Sequence, residues 1–352
     1  VSVTSAPKRE MRATWLTTVA NIDWPMSTTN TVEAQQAELL DLLDVCVETN
    51  MNTVLFHIRP ACDALYKSQY EPWSSYLNNG RGVDPGWDPL QYCIEECHKR
   101  GLTCHGWINP YRYNKRGGYD WIGDDDTTKL NYKHTHPEWL LYYKNDIILD
   151  PALPEVRQQI KNVVGDIINN YDIDGILMDD YFYPYGGTTT EDAKSQAAHY
   201  KADQVKDVNG DGDKLDDWRR DNVDKCMKML YDSIQVVKPW VRFGMGIPGN
   251  WSMKSKAAAA YGISLPSGIS AMESYDYLYC NAVEWAKRGW VDYLNPQIYW
   301  STQVSRQNYS VLCKWWSKTV CENFSNKLPN GQRVHFCVSQ AAYGATDADA
   351  GL

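Results

Sequence analysis

The chain holds 352 residues, 43% of them hydrophobic and 22% charged, enough apolar surface to offset the entropy of ordering a large core, which excludes a disordered tail or linker. Its net charge of -9, with no run of Lys and Arg, excludes a protein that tracks nucleic-acid phosphates, and no apolar stretch approaches the ~20 residues that cross a bilayer. Tyr (24) and Trp (15) far outnumber Phe (5), a bias toward rings with a polar handle that suits contact with hydroxylated ligands.

The chain opens at Val1 on a polar stretch in which no signal segment is visible. At Met11 begins the first of seven short apolar, β-branched runs; the others begin at Asn52, Leu102, Ile173, Val241, Val291 and Arg333. Helical patterns lie between them. "TVEAQQAELLDLLDVCVETN" sets Leu39, Leu42, Leu43 and Cys46 at helical spacing. "DPLQYCIEECHKRG" offers Asp88 as N-cap, Pro89 at the first helical position and Gly101 as the stop. "PEVRQQIKNVVGDIINNY" and "RRDNVDKCMKMLYDSIQVVKP" read the same way. Within the second of these patterns, Cys93 and Cys97 share a face, and Cys104 follows in the next run. None of the three forms a CxxC pair, so they are expected as small buried hydrophobes, with a disulfide or metal role as the alternative.

Strands alternating with helices pair in parallel, so the pattern predicts an α/β fold, a (β/α)8 TIM barrel with long loops on one face, as one domain over 1–352. An open doubly wound sheet is the alternative, weakened because "LTTVANIDWP" after the first strand has no glycine to cradle a phosphate. Only "TDADAGL" follows the seventh run. The eighth strand is therefore either supplied by hairpin strands elsewhere or missing.

In such a barrel the chemistry gathers at the carboxyl ends of the strands. Those ends carry Asn21, Asp23 and Trp24; His57 and Arg59; Trp107, Asn109, Tyr111 and Arg112; Asp179, Asp180 and Tyr181; Asn250 and Trp251; Gln297, Tyr299 and Trp300. The sharpest signal is "YDIDGILMDDYFYP", an apolar run that stops on two acids. Neighbouring strand residues face opposite ways, so one acid points into the mouth and the other braces the loop. A carboxyl set among Met178, Tyr181, Phe182 and Tyr183 is partly desolvated, which suits acid, base or nucleophilic work; a loop-capping Asp pair is the structural alternative.

A second motif, "DVNGDGDKLDDW" at 207–218, sets Asp207, Asn209, Asp211 and Asp213 at alternate positions with Gly212 sixth, the start of an EF-hand-type Ca2+ loop. The twelfth position is Trp218, so Asp216 or Asp217 has to close the site, and the ion is expected to brace the following helix as a structural insertion.

The blocks "RATWLTTVANIDWP", "IRPACDALYKSQYEPWSSYL", "YDIDGILMDDYFYP", "DWRRDNVD" and "GWVDYLNPQIYW" closely resemble the glycosyl-hydrolase-like GHL10 family of bacterial cell-envelope proteins. The resemblance runs from about Arg9 to Gly344. It implies a TIM barrel of glycoside hydrolase ancestry, no catalytic cofactor, a polysaccharide partner and a periplasmic, lipoprotein or secreted location. The activity it implies is cleavage of peptidoglycan glycan strands stripped of their peptides. "DGILMD" is also similar to the strand end on which retaining glycosidases present a nucleophile; Asp179 matches that position and Asp174 the acid at the strand start. Glycoside hydrolysis needs a second carboxyl, for which Asp180 and Glu273 are the candidates. Arg59, Asn109, Tyr111, Tyr181, Gln297 and Tyr299 are expected to bind sugar and Trp107, Trp251 and Trp300 to stack on it. His57 either orients a carboxylate or is a core histidine. A carbohydrate-binding barrel without turnover and a hydrolase of dietary or host glycans are the alternative functions.

Overall fold

The computed structural model describes residues 10–78, 80–114, 130–144, 146–185, 190–208, 210 and 212–341. Among these residues ten strands form: β1 (Ala13–Leu16), β2 (Thr53–Arg59), β3 (Thr103–Ile108), β4 (Arg112–Asn114), β5 (Leu140–Tyr143), β6 (Asp146–Leu149), β7 (Gly175–Met178), β8 (Arg242–Pro248), β9 (Tyr293–Gln297) and β10 (His335–Phe336). Seven of them, one from each predicted run, pair in parallel in the order β1-β2-β3-β7-β8-β9-β10. Helices Val32–Glu48, Pro89–Lys99, Pro154–Asn170 and Lys214–Val237 supply crossovers and cover the outer face. Their ends obey the local chemistry: Asp88 accepts from Gln91 N ahead of Pro89, and Gly101 takes the left-handed conformation beyond Lys99.

Alternation along the strands divides the interior. Leu55, Trp107, Leu177 and Tyr293 fill the lumen from four different strands, with Met11, Ala13, Trp15 and Cys337 against them. Their neighbours Val54, Phe56, Ile108, Ile176, Met178, Phe243 and Met245 point outward into the layer beneath the helices. Rings this large fit the lumen because β8 carries glycine where they approach. A Cβ on Gly244 would lie 2.0 Å from the Tyr293 ring, and one on Gly246 would lie 2.7 Å from Trp15.

Among the described residues the ring holds seven strands, one short of the eight of a closed barrel. β4, β6 and β5 form a separate antiparallel sheet on the rim and do not enter the ring. β10 and β1 share no ladder among the described residues, and side chains bridge the seam instead. Trp15 Nε1 donates to Ser339 Oγ at 3.1 Å, Ser339 Oγ donates to Asn295 Oδ1 at 2.6 Å, and Cys337 Sγ lies 3.7 Å from Met11 Sδ.

Candidate active site

β7 delivers the central acid. The Asp179 amide donates to Ile108 O at 3.1 Å, which extends the β3–β7 ladder one residue past Met178, so Asp179 keeps the inward parity of Leu177. Three donors converge on its carboxylate: Trp107 Nε1 on Oδ2 at 3.2 Å, and Gln297 Nε2 at 3.3 Å and the Asp180 amide at 2.8 Å on Oδ1. Because β3, β7 and β9 each supply a member, the orientation of Asp179 is a property of the ring rather than of one loop.

Trp107 is itself held on two sides. His57 stacks on it at 3.7 Å with the ring planes 11° apart, and Trp15 meets it edge-on at 4.7 Å. His57 is fully buried with neither ring nitrogen hydrogen-bonded, and burial, helped by the Arg112 charge, drives its pKa well below the usual range. A neutral imidazole packed flat on an indole sets the plane of that indole; it does not grip a carboxylate directly.

Asp180 turns the other way, as strand alternation requires, and accepts from the Tyr185 hydroxyl. Burial and then the adjacent Asp179 carboxylate hold its pKa well above the ordinary carboxylate range, with Tyr185 and Arg112 opposing. The Arg112 guanidinium lies 3.6 Å from the centre of the Tyr181 ring. Together they line a cleft of about 190 Å³ with Asn114, Asp146, Ile148, Tyr183, Pro184 and Tyr185. Among the described residues no carboxylate forms an ion pair with Arg112, so its charge is available to a ligand in that cleft. Glu273 sits on the same rim, in the loops beyond β8, where it accepts from the Met253 amide. Burial and then its contact with Asp276 push its pKa up to about 7.

Several expected sugar-binding residues belong to the frame instead. Arg59 is 1% exposed and bidentate to the equally buried Glu71, Nε to Oε2 at 2.6 Å and Nη2 to Oε1 at 2.5 Å; it also donates to the carbonyls of Asn109 and Pro110. Asn109 donates inward to Pro60 O at 2.9 Å, Tyr111 packs against Phe182, and Trp251 is enclosed by Tyr261, Tyr275 and Trp315. All four are buried: Arg59 is covered by Glu71 from the loop after β2, and the other three by the partners just named. Tyr299 is exposed and Trp300 half-buried past the end of β9. At the strand start, Asp174 accepts from His98 Nε2 and the Cys104 amide, at the end of the barrel opposite to Asp179.

The acidic loop at 207 is cut short by a helix. Lys214–Val237 begins inside the expected twelve-residue loop, with Asp213 as its N-cap. Asp216 and Asp217 fall in its first turn and pair with Arg219 (3.0 Å) and Arg220 (2.8 Å), and Asp217 Oδ2 also accepts from the Val208 amide at 2.8 Å, beside Asp207. Asp207 accepts from Gly212 N, while Asn209 and Asp211 lie outside the described residues. The same two arginines fasten the rim: Arg219 is bidentate to buried Asp192 at 2.8 Å, and Arg220 reaches Asp276 at 3.0 Å.

Sequence reasoning missed Trp15, Tyr185 and Glu71. Trp15 precedes the polar end of its run, and Tyr185 and Glu71 sit in loops with no periodicity to place them.

Comparison with known proteins agrees with this architecture. The PgaB (BpsB) glycoside hydrolase domain from Bordetella bronchiseptica superposes with a TM-score of 0.52 over 98% of this chain and 97% of that one, at 10% identity, a likeness of fold alone. Glycosyl hydrolase YngK of Bacillus subtilis is 38% identical over 340 residues, which span 95% of this chain and 61% of that protein. Glycosyl hydrolase DigH of Escherichia coli is 32% identical over 331 residues, 91% of this chain and 72% of that protein. The family model for Glycosyl hydrolase-like 10 matches residues 10–339, nearly the whole described barrel with Asp179 at its mouth, and the chain belongs to that family.

Proposed function

We propose that the protein is a glycoside hydrolase acting on bacterial cell-wall polysaccharide, specifically peptidoglycan glycan strands freed of their peptides, in the cell envelope or outside the cell. The observation that carries this reading is the Asp179 carboxylate, fixed at the barrel mouth by Trp107, Gln297 and the Asp180 amide. A carboxylate aimed in this way serves as nucleophile or stabilises an oxocarbenium-like transition state. Glu273, about half protonated near neutrality, supplies the proton to the departing sugar oxygen. Asp180 keeps its own proton and anchors Tyr185 at the edge of the cleft.

Arg112 supports the finer substrate assignment. A peptide-free strand exposes a carboxylate on each muramoyl lactyl group, and a guanidinium seated on Tyr181 without an ion-pair partner among the described residues is a suitable receptor for it. The calcium reading takes Asp207, Asn209, Asp211 and Asp213 as ligands, closed by Asp216 or Asp217, as a brace for the helix start. A higher Tm in Ca2+ than in chelator, lost in Asp207→Ala, is its expected outcome.

The test is product analysis by mass spectrometry after incubating peptide-free strands with the parent protein and with Asp179→Asn. Soluble repeat fragments from the parent alone support the reading. Intact strands that co-sediment with both proteins replace it with a carbohydrate-binding barrel.

A further inference from the structure

Three buried thiols meet away from the barrel mouth. Cys93 and Cys97 project from one face of the helix Pro89–Lys99, and Cys104 projects outward from β3 beneath it; all three are completely buried. Their sulfurs lie within 4.8 Å of one another, and Cys93 Sγ is 3.9 Å from Cys97 Sγ. A metal ~2.3 Å from each thiolate sets its sulfurs roughly 3.8–4.0 Å apart, so a small inward movement of one sulfur completes the triangle. The absence of CxxC spacing conceals this arrangement in the sequence, because the third ligand comes from the next strand.

We propose that Cys93, Cys97 and Cys104 form a three-sulfur site for a soft, thiophilic cation, cuprous copper, that pins the helix Pro89–Lys99 to β3. Thiolate ligands select Cu(I) and Zn2+ over harder ions. Structural Zn2+ takes four ligands, and among the described residues no fourth His, Cys, Asp or Glu atom joins the three sulfurs within the same distance. The adjacent imidazole, His98, is turned to Asp174, with Nε2 at 2.9 Å from Oδ2. The three sulfurs are closed to bulk solvent. Three-coordinate Cu(I) needs no fourth ligand. Each thiol that binds releases its proton to solvent. Asp174 also holds the Cys104 amide at 2.8 Å, which fixes the β3 ligand from outside the sulfur cluster.

The test is an anaerobic titration of the whole reduced chain with Cu(I) against a chromophoric Cu(I) chelator, alongside native mass spectrometry of the unmutated protein. One tight equivalent is expected in the parent and in Cys313→Ser, a half-buried thiol elsewhere. A loss of affinity of at least about 100-fold, above the 10–100-fold range typical of outer-shell losses, is expected in Cys97→Ser. Far-UV circular dichroism checks the fold, and Cys104→Ala replaces Cys97→Ser if that variant is insoluble. No copper-bearing mass in the unmutated protein, equal affinity in parent and Cys97→Ser, or retention of Zn2+ in preference to Cu(I) would each overturn the assignment.

Discussion

The Trp107 indole donates its single N–H to Oδ2 of Asp179 across 3.2 Å, while its ring is held flat against His57. A hydrogen bond to a charged group contributes ~1.5–3 kcal/mol. Trp107→Phe keeps an aromatic surface for His57 but removes the donor. Hydrolysis of the glycan is expected to fall by roughly 10–100-fold in kcat, by conversion of that energy, with KM and Tm little changed. Equal losses in KM and kcat would mean that the ring serves as a sugar platform instead.

Glu273 sets a pH limit. As proton donor it has to be protonated, so kcat/KM declines as pH rises through about 7, and Glu273→Gln removes that limb together with most of the activity. Stability carries the same signature. The folded carboxyl keeps its proton up to about 7 whereas an unfolded one releases it near 4.5, so its stabilising contribution is complete below 4.5 and lost as pH rises to 7. Urea unfolding of parent and Glu273→Gln at pH 4.5 and 7.5 measures the difference, which should shrink at the lower pH.

Arg59 and Glu71 make a prediction about stability alone. Both are buried, and Glu71→Gln leaves the guanidinium without its counter-charge, at a cost of ~3–5 kcal/mol in unfolding free energy. Replacing both, as Arg59→Met with Glu71→Leu, should recover most of that loss. A Glu71→Gln protein of parental stability would return Arg59 to the list of ligand-binding residues.

Arg112 predicts selectivity. Arg112→Met is expected to raise KM about tenfold for strands that carry free lactyl carboxylates, a loss of ~1.5 kcal/mol typical of a charge-assisted hydrogen bond. For chito-oligosaccharides, which lack the carboxylate, KM should be unaffected. A matching loss on both substrates would assign Arg112 to the support of Tyr181 and Asp180.

The barrel was legible because the seven apolar runs carry their own punctuation: every one became a strand, and Asp88, Pro89 and Gly101 bound a helix as expected. The convergence of Trp107, Asp179 and Gln297 was legible too, since parity along a strand decides which side chains share a lumen. The fate of Arg59 was not. It stands at a strand end like the others, but its partner Glu71 lies twelve residues away in a loop whose path no periodicity records. The arginine partners of Asp216 and Asp217 were not legible either, because they depend on the helix start at Lys214, which brings Arg219 and Arg220 one turn on. Cys93, Cys97 and Cys104 are buried in the core as expected, but their mutual proximity across a helix and the following strand leaves no mark in spacing.

The seam bond between Trp15 and Ser339 joins residues 324 positions apart in the chain. During synthesis, β1 can pair with β2 early, but the Trp15 N–H gains its Ser339 acceptor only when nearly the whole ring has been made. Trp107 rests edge-on against that indole, so the final orientation of the Asp179 carboxylate waits for the same event. A nascent or truncated chain that stops before Ser339 can therefore hold most of its strands in register and still lack a finished catalytic mouth.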